Sequence, residues 1–455
     1  MSYTSVNPYT KKISGTFQTL TDSELKDNLN KAERAFEKWS RTSFAERTGL
    51  LNNTASLLEK EKAIHAEIVT SEMGKPIKQS IAEVEKCAWL CRYYADNGEK
   101  FLEPLKLKST AKLSEVWFEP TGIIFAVMPW NFPYWQVFRF LVPNLLAGNT
   151  GLLKHASNVP RCGIAIENLF KRSGAPDGVF MNLFIDYNQS ETIISHPTVK
   201  GVTLTGSNAA GYRIAELAGK FGKKSVLELG GSDPYIVFQN ADLQKSSETA
   251  IMARFQNNGQ SCISAKRLFI QDKIFDKFFE LFKEEVIKIK TGDPMDPETL
   301  VGPIARKDLL IELEEQLELI IKNGGRILTG GKRKSPGSQI LEPTIILDLP
   351  KDSRLLDQEL FGPIIPVFSF SSEEEAIQLA NNTPYGLGAS VWTGDEVQAR
   401  RVAARLHSGM VSINNMVKSE PALPFGGVKA SGYGRELSEF GIREFVNIKA
   451  VSFFW

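Results

Sequence analysis

Hydrophobic spacing divides the chain into a helical opening and two later series in which short apolar runs alternate with helical stretches. After Thr21-x-x-Glu24, a capping-box pattern, Leu25, Leu29, Ala32, Phe36 and Trp39 recur at the spacing of one helix face, which predicts a helix there. From Gly122 the period shortens. Ile123 to Met128, Gly151 to Leu153, Val199 to Thr203 and Ser225 to Leu229 read as strands with helices between them, one of which, Tyr134 to Leu146, reads as amphipathic. A second series follows residue 262, with strands expected at Arg267 to Ile270, Ile364 to Phe368, Ala389 to Trp392 and Gly409 to Ile413. Apolar runs joined through helices imply parallel sheets covered on both faces, so the fold class is α/β with two Rossmann-like parallel-sheet domains. No solenoid repeat or long linker separates them.

Composition narrows the function classes. The 455 residues are 42% apolar, and 54 Lys plus Arg against 53 Asp plus Glu leave a net charge of +1. Such a balance gives no electrostatic case for nucleic acid or an anionic membrane surface, and any anion must be recognised locally. The stretch Met1 to Lys12 lacks a signal-peptide core, and the most apolar region, Gly122 to Leu146, is broken by Asn131, two prolines and Arg139, so a cytoplasmic protein is expected. Cys87, Cys91, Cys162 and Cys262 are too few for a disulfide scaffold and fit a reducing compartment. Cys87 and Cys91 share a helix face as small hydrophobes. The four histidines, His65, His155, His196 and His407, have no metal-ligand spacing, and no metal is implied.

Candidate chemistry concentrates in separated motifs. Phe255-Gln256-Asn257-Asn258-Gly259-Gln260-Ser261-Cys262 sets a lone thiol after a glycine able to bring the backbone close to a ligand, which makes Cys262 a candidate nucleophile. In Leu227-Glu228-Leu229-Gly230-Gly231 a carboxylate ends an apolar run and meets two glycines, a candidate base. The bland readings are a buried inert thiol for Cys262, a strand-end ion-pair partner for Glu228 and a helix cap for Asn131.

With Pro129-Trp130-Asn131-Phe132-Pro133 and Glu359-Leu360-Phe361-Gly362-Pro363, these segments resemble the aldehyde dehydrogenase superfamily over essentially the whole chain. The resemblance implies a cofactor-binding domain from residues 1–107 and 120–230, with 425–445 packing back, a catalytic domain at 231–424, and oligomerisation strands at 108–119 and 446–455. A homodimer or dimer of dimers follows from such strands. Cys262 would add to an aldehyde, Asn131 and the Cys262 N–H would hold the oxyanion, and Glu228 would activate water against the thioester; losing one oxyanion donor typically costs about 100- to 1,000-fold in rate.

No G-x-G-x-x-G follows a strand, so the common dinucleotide fingerprint is missing. The resemblance instead assigns the cofactor phosphate to Thr205-Gly206-Ser207, where a helix N-terminus opens, although alone this turn reads as a plain strand-to-helix connection. It gives Lys154 to the adenosine ribose, Glu359 to the nicotinamide ribose, and Phe361 and Trp130 to the walls around the ring. Ser157 stands where many NAD-preferring relatives carry glutamate, and a serine beside a lysine leaves room for a 2′-phosphate; NADP is expected, with NAD possible.

Arg139, in the Tyr134 to Leu146 helix, needs a partner: a protein carboxylate, or a carboxylate on the substrate held together with Ser419. That pair and Lys154-His155-Ala156-Ser157-Asn158 are similar to microbial relatives that oxidise succinate semialdehyde. Glutarate semialdehyde, a medium-chain aldehyde or another small polar aldehyde is the alternative. Outside this chemistry, a cysteine hydrolase would need a histidine base, which the scarcity of histidines disfavours.

Overall fold

The computed structural model describes residues 2–455. The chain opens on a hairpin, Ser2–Val6 against Ile13–Gln18, which the hydrophobic pattern does not announce because apolar residues are few in it and two of them, Val6 and Ile13, face solvent. Helix Asp22–Trp39 follows, its capping box formed by Thr21 and Glu24, with Leu25, Leu29, Ala32 and Trp39 turned into the core.

Six strands build the first sheet, in the order Gly432–Tyr433, Lys224–Glu228, Val199–Thr205, Ile123–Met128, Thr150–His155 and Phe180–Asn182. The five earlier strands run parallel, and the short Gly432–Tyr433 strand closes one edge antiparallel to Leu227 and Glu228. Strand order reverses around Ile123–Met128: the chain goes to one side for Thr150–His155 and to the other for Val199–Thr205. Such a switch point opens a crevice at the carboxyl ends of the strands, where Pro129, Trp130 and Asn131 begin.

Seven strands build the second sheet: Arg326–Thr329, Thr344–Leu347, Ile364–Phe370, Ala265–Gln271, Asp233–Val237, Gly388–Trp392 and Met410–Ile413, with only Arg326–Thr329 antiparallel. A third sheet joins Val446–Phe453, Leu113–Pro120 and Leu105–Leu107. Its strands stay largely open to solvent, with Leu105, Leu107, Leu113 and Ile448 exposed.

One helix departs from its pattern. Trp135–Ala147 is not amphipathic: all thirteen of its residues are buried, Gln136, Arg139 and Asn144 included. It lies between the first sheet and helix Ile77–Phe101, so its polar positions must find partners inside. Cys87 and Cys91, on that neighbouring helix, are fully buried among apolar side chains. No helix among the described residues is long and apolar enough to cross a membrane.

Candidate active site

Cys262 sits on a backbone turn that few sequences adopt. Helix Leu243–Phe255 ends, and Asn257, Asn258 and Gly259 follow in the left-handed region with φ of 54°, 60° and 71°. Two non-glycine residues in succession carry strain that must be overruled by contacts. Asn257 Nδ2 donates to the carbonyls of Asn131 and Gln260, at 2.8 and 2.9 Å, and Asn258 Nδ2 donates to those of Gly74 and Pro303, each at 2.9 Å. At Gly259 any Cβ would collide with the Gly362 backbone. The turn therefore pins the Cys262 loop at once to the Asn131 loop and to the Phe361 loop.

Two cavities meet at that thiol. One, of about 500 Å³, is lined by Trp130, Asn131, Thr205 to Ala209, Glu359 and Phe361 as well as Cys262. The other, of about 330 Å³, opens on the opposite side and is lined by Lys86, Phe132, Trp135, Arg139, Ser419 and again Cys262. Asn131 is buried; its Nδ2 donates to the Gln260 carbonyl at 3.1 Å and its Oδ1 accepts from Gln136 Nε2 at 3.0 Å, which fixes the amide and leaves one N–H without a protein acceptor. Burial pushes the Cys262 thiol up to about 12, against the pull of Arg139 and Lys266, so the resting group is the neutral thiol.

Glu228 is set aside from both cavities. It is buried, neither carboxyl oxygen has a hydrogen-bond partner among the described residues, and a Cβ on Gly426 would stand 2.7 Å from its Oε1. Burial first, then repulsion by Glu436, holds its carboxyl well above the usual carboxylate range. The neighbouring Glu436 takes the available cation: its Oε2 lies 2.7 Å from Arg139 Nε.

Of the two partners expected for Arg139, a protein carboxylate stands beside it. Its guanidinium is only 3% exposed, packs on the Phe425 ring at 4.3 Å and already has a protein carboxylate, as a charge taken this far from water requires. Ser419 does border the cavity, where its Oγ accepts from Trp135 Nε1 at 2.9 Å and from Lys86 Nζ at 2.8 Å. No motif or spacing marks Lys86 or Glu436. Lys266 was also missed, although a Lys-Arg pair opening an apolar strand is a visible anomaly; its buried Nζ donates to the carbonyls of Ser261 and Cys262 and lies 3.0 Å from Glu359 Oε1. Glu359 accepts also from the Gly231 N–H, at 3.2 Å. Trp130 and Phe361 meet edge to face at 5.8 Å.

The larger cavity suits a dinucleotide. Ser207 caps helix Asn208–Lys220 at the end of strand Val199–Thr205, and Gly206 precedes it, so the first N–H groups of the helix face the crevice. A Cβ on Gly230 would stand 2.7 Å from Glu359 Oε2, so a larger residue would fill the floor beside that carboxylate. Lys154 lies near the end of strand Thr150–His155, two strands over from Val199–Thr205, Ser157 follows that strand, and both stand outside the cavity's lining. Lys154 has no ion pair among the described residues and rests over the rings of Tyr187 and Tyr3, while Ser157 is exposed. A free ammonium and a free hydroxyl are the donors a phosphate monoester needs. Among the described residues no group of three His, Cys, Asp or Glu is placed to hold a metal.

The model of the aldehyde dehydrogenase family matches residues 1–451. A Mycobacterium tuberculosis protein named succinate-semialdehyde dehydrogenase [NADP(+)] 1 is 46% identical over 454 residues, 99% of each chain, and the Mycobacterium leprae protein named succinate-semialdehyde dehydrogenase [NADP(+)] is 44% identical with the same coverage. The solved structure of succinic semialdehyde dehydrogenase from Streptococcus pyogenes in complex with NADP+ as the cofactor is 40% identical, covers 100% of both chains and superposes with a TM-score of 0.97. With a thiol at the junction of two cavities and this match from end to end, the chain belongs to the aldehyde dehydrogenase family.

Proposed function

We propose that the protein oxidises succinate semialdehyde to succinate with NADP. The observation that carries the reading is that Cys262 lines both cavities, so one sulfur faces a dinucleotide crevice and an aldehyde pocket at the same time. Relatives named for this reaction, at 44 to 46% identity, support the choice of substrate and cofactor.

In the proposed sequence the Cys262 thiol gives up its proton to water in the cavity, its sulfur adds to the aldehyde carbon, and the carbonyl electrons move onto oxygen, where the free Asn131 N–H and the Cys262 backbone N–H stabilise the charge. Bound NADP supplies the hydride acceptor that turns this adduct into a thioester. Glu228, after turning from its recess, takes as a carboxylate a proton from water as the water adds to the thioester carbonyl; the carbon–sulfur bond then breaks, the sulfur leaving as thiolate, and succinate departs. Thr205, Gly206 and Ser207 hold phosphate, Glu359 and Lys154 the two riboses, Trp130 and Phe361 the ring, and Ser157 leaves space for a 2′-phosphate. Arg139 is assigned to the pocket wall as Glu436's partner, with Ser419 facing the substrate. Residues 1–107 and 120–230 carry the cofactor site, with 425–445 packing back, 231–424 carry the thiol, and the open sheet of 108–119 and 446–455 pairs subunits into a dimer or a dimer of dimers in the cytoplasm.

The test is absorbance of reduced nicotinamide with succinate semialdehyde, comparing NADP and NAD in wild type and Cys262→Ala. Turnover faster with NADP and lost in the variant is expected. The apolar walls Phe132, Trp135 and Phe425 favour the neutral-aldehyde alternative. Turnover only with medium-chain aldehydes would establish it, and equal rates with both cofactors would remove the role of Ser157.

A further inference from the structure

We infer that Lys266 is a positioning residue for the oxyanion: it holds the Ser261 carbonyl from behind and so aims and strengthens the Cys262 N–H that stabilises the negative charge. The inference rests on the thiol-addition reading above and identifies what sets that donor.

Lys266 is closed off as a ligand group. It is the second residue of strand Ala265–Gln271, where successive side chains point to opposite faces. Arg267 goes to the carbonyls of Ser232, Leu379 and Ala380, and Lys266 turns back under the Cys262 loop. Its side chain is 1% exposed, and its three N–H groups meet three acceptors: the Ser261 carbonyl at 2.7 Å, the Cys262 carbonyl at 2.8 Å and Glu359 Oε1 at 3.0 Å. It lines neither cavity, so any part it plays in the reaction passes through those three groups. An ion pair with Glu359 alone would use one N–H; the other two are given to the carbonyls of the nucleophile and of the residue before it.

The Ser261 carbonyl and the Cys262 N–H belong to one peptide unit. In a trans peptide the two point in opposite directions, so anchoring the oxygen on Lys266 turns the N–H away from it. Among the described residues that N–H meets no acceptor. The Ser264 N–H shares the same oxygen at 3.2 Å, which leaves Lys266 the shorter and the charged of its two donors. A charged donor on the oxygen polarises the amide and makes its nitrogen a stronger donor in turn. A Cβ on Gly231 would stand 2.5 Å from the Cys262 carbonyl oxygen, so glycine there clears the space in which that oxygen meets Lys266. The side-chain donor is set in the same manner, since Asn131 Oδ1 accepts from Gln136 Nε2 at 3.0 Å. Both groups assigned to the oxyanion are thus bound through oxygen and left free through nitrogen.

The experiment uses the full-length enzyme without cofactor, so that the contact of Glu359 with a ribose does not enter, and compares two reactions of Cys262. Iodoacetamide alkylates the sulfur by displacement of iodide and forms no oxyanion. With 4-nitrophenyl acetate the sulfur adds to the carbonyl carbon, the carbonyl pair moves onto oxygen, and its return expels 4-nitrophenolate and leaves an acetyl thioester; absorbance reads the first turnover. Both reactions need the thiolate, so the ratio of ester cleavage to alkylation cancels any change in thiolate fraction and isolates the oxyanion. Lys266→Met is expected to lower that ratio by roughly 10- to 100-fold, less than the roughly 100- to 1,000-fold expected of Asn131→Ala, because the N–H is misaimed rather than removed. If far-ultraviolet dichroism shows that Lys266→Met does not fold, Lys266→Gln, which keeps a neutral N–H donor, carries the test with an expected drop of roughly threefold to tenfold. A folded Lys266 variant that keeps the wild-type ratio, or in which both rates fall together, overturns the inference while a drop in Asn131→Ala leaves the oxyanion reading standing. An unchanged ratio in Asn131→Ala would instead remove that reading, and Lys266 with it.

Discussion

At the residue scale the site works by leaving a few groups unmatched among many that are matched. Glu436 neutralises Arg139, Glu83 serves Lys75, and Glu359 meets Lys266, while Lys86 reaches the Ser419 hydroxyl and the Trp135 ring. Burial and the nearby Arg139 pull the Lys86 ammonium down to about 8, against the smaller opposing influence of Cys87, Glu83 and Glu420. The charged form therefore prevails below that pH and is lost above it. Cys262, Asn131 and Glu228 were visible in the sequence because motifs carry them. Arg139 was visible only as a charge in need of a partner, since nothing local tells a carboxylate on Glu436, almost 300 residues away, from one on a ligand. Lys86 was invisible, because half of a lysine's neighbours on a helix are ordinarily water.

At the scale of elements, the positions of the loops are set by buried polar side chains. Arg254, fully buried at the end of helix Leu243–Phe255, donates to the carbonyls of Leu360, Gly362 and Ile364 and to Ser264 Oγ, so it ties the Phe361 loop to the strand that follows and to the turn after Cys262. Arg254→Met would leave several buried acceptors unpaired; each such loss costs on the order of 1–3 kcal/mol, and the thermal unfolding midpoint should drop by roughly 5 °C or more, with weaker NADP binding measured by fluorescence quenching. An unchanged midpoint would mean that water replaces the guanidinium. Strand centres were legible, since Ile123–Met128 and the cores of the other parallel strands are continuous apolar runs. Phe180–Asn182, Thr344–Leu347 and Asp233–Val237 were not: two are too short to show a period, and the third opens with Asp and Pro. Helix Trp135–Ala147 misled for the opposite reason, because its polar residues are paid for by partners on other elements that spacing cannot reveal.

At the scale of the whole molecule, the open three-stranded sheet is a surface that the fold leaves without cover. Ile448, Leu105, Leu107 and Leu113 are exposed on it, and an uncovered apolar ladder of this kind favours pairing with a second chain. Ile448→Asp should shift the enzyme toward monomer in sedimentation velocity while leaving its far-ultraviolet dichroism intact; an unchanged mass would place the subunit contact elsewhere. The arrangement of two parallel-sheet domains followed from the alternation of apolar and helical segments. The crossings that complete them did not, because pairing between distant strands leaves no periodic trace. The cofactor-side sheet is finished by Gly432–Tyr433, laid against Leu227 and Glu228, and Val446 to Phe453 pair residue for residue with Pro120 to Leu113. On a ribosome, then, the edge beside Glu228 stays unsealed until all seven strands of the second sheet have been made, and Gly432 and Tyr433, emerging after them, act as the clasp that shuts the first.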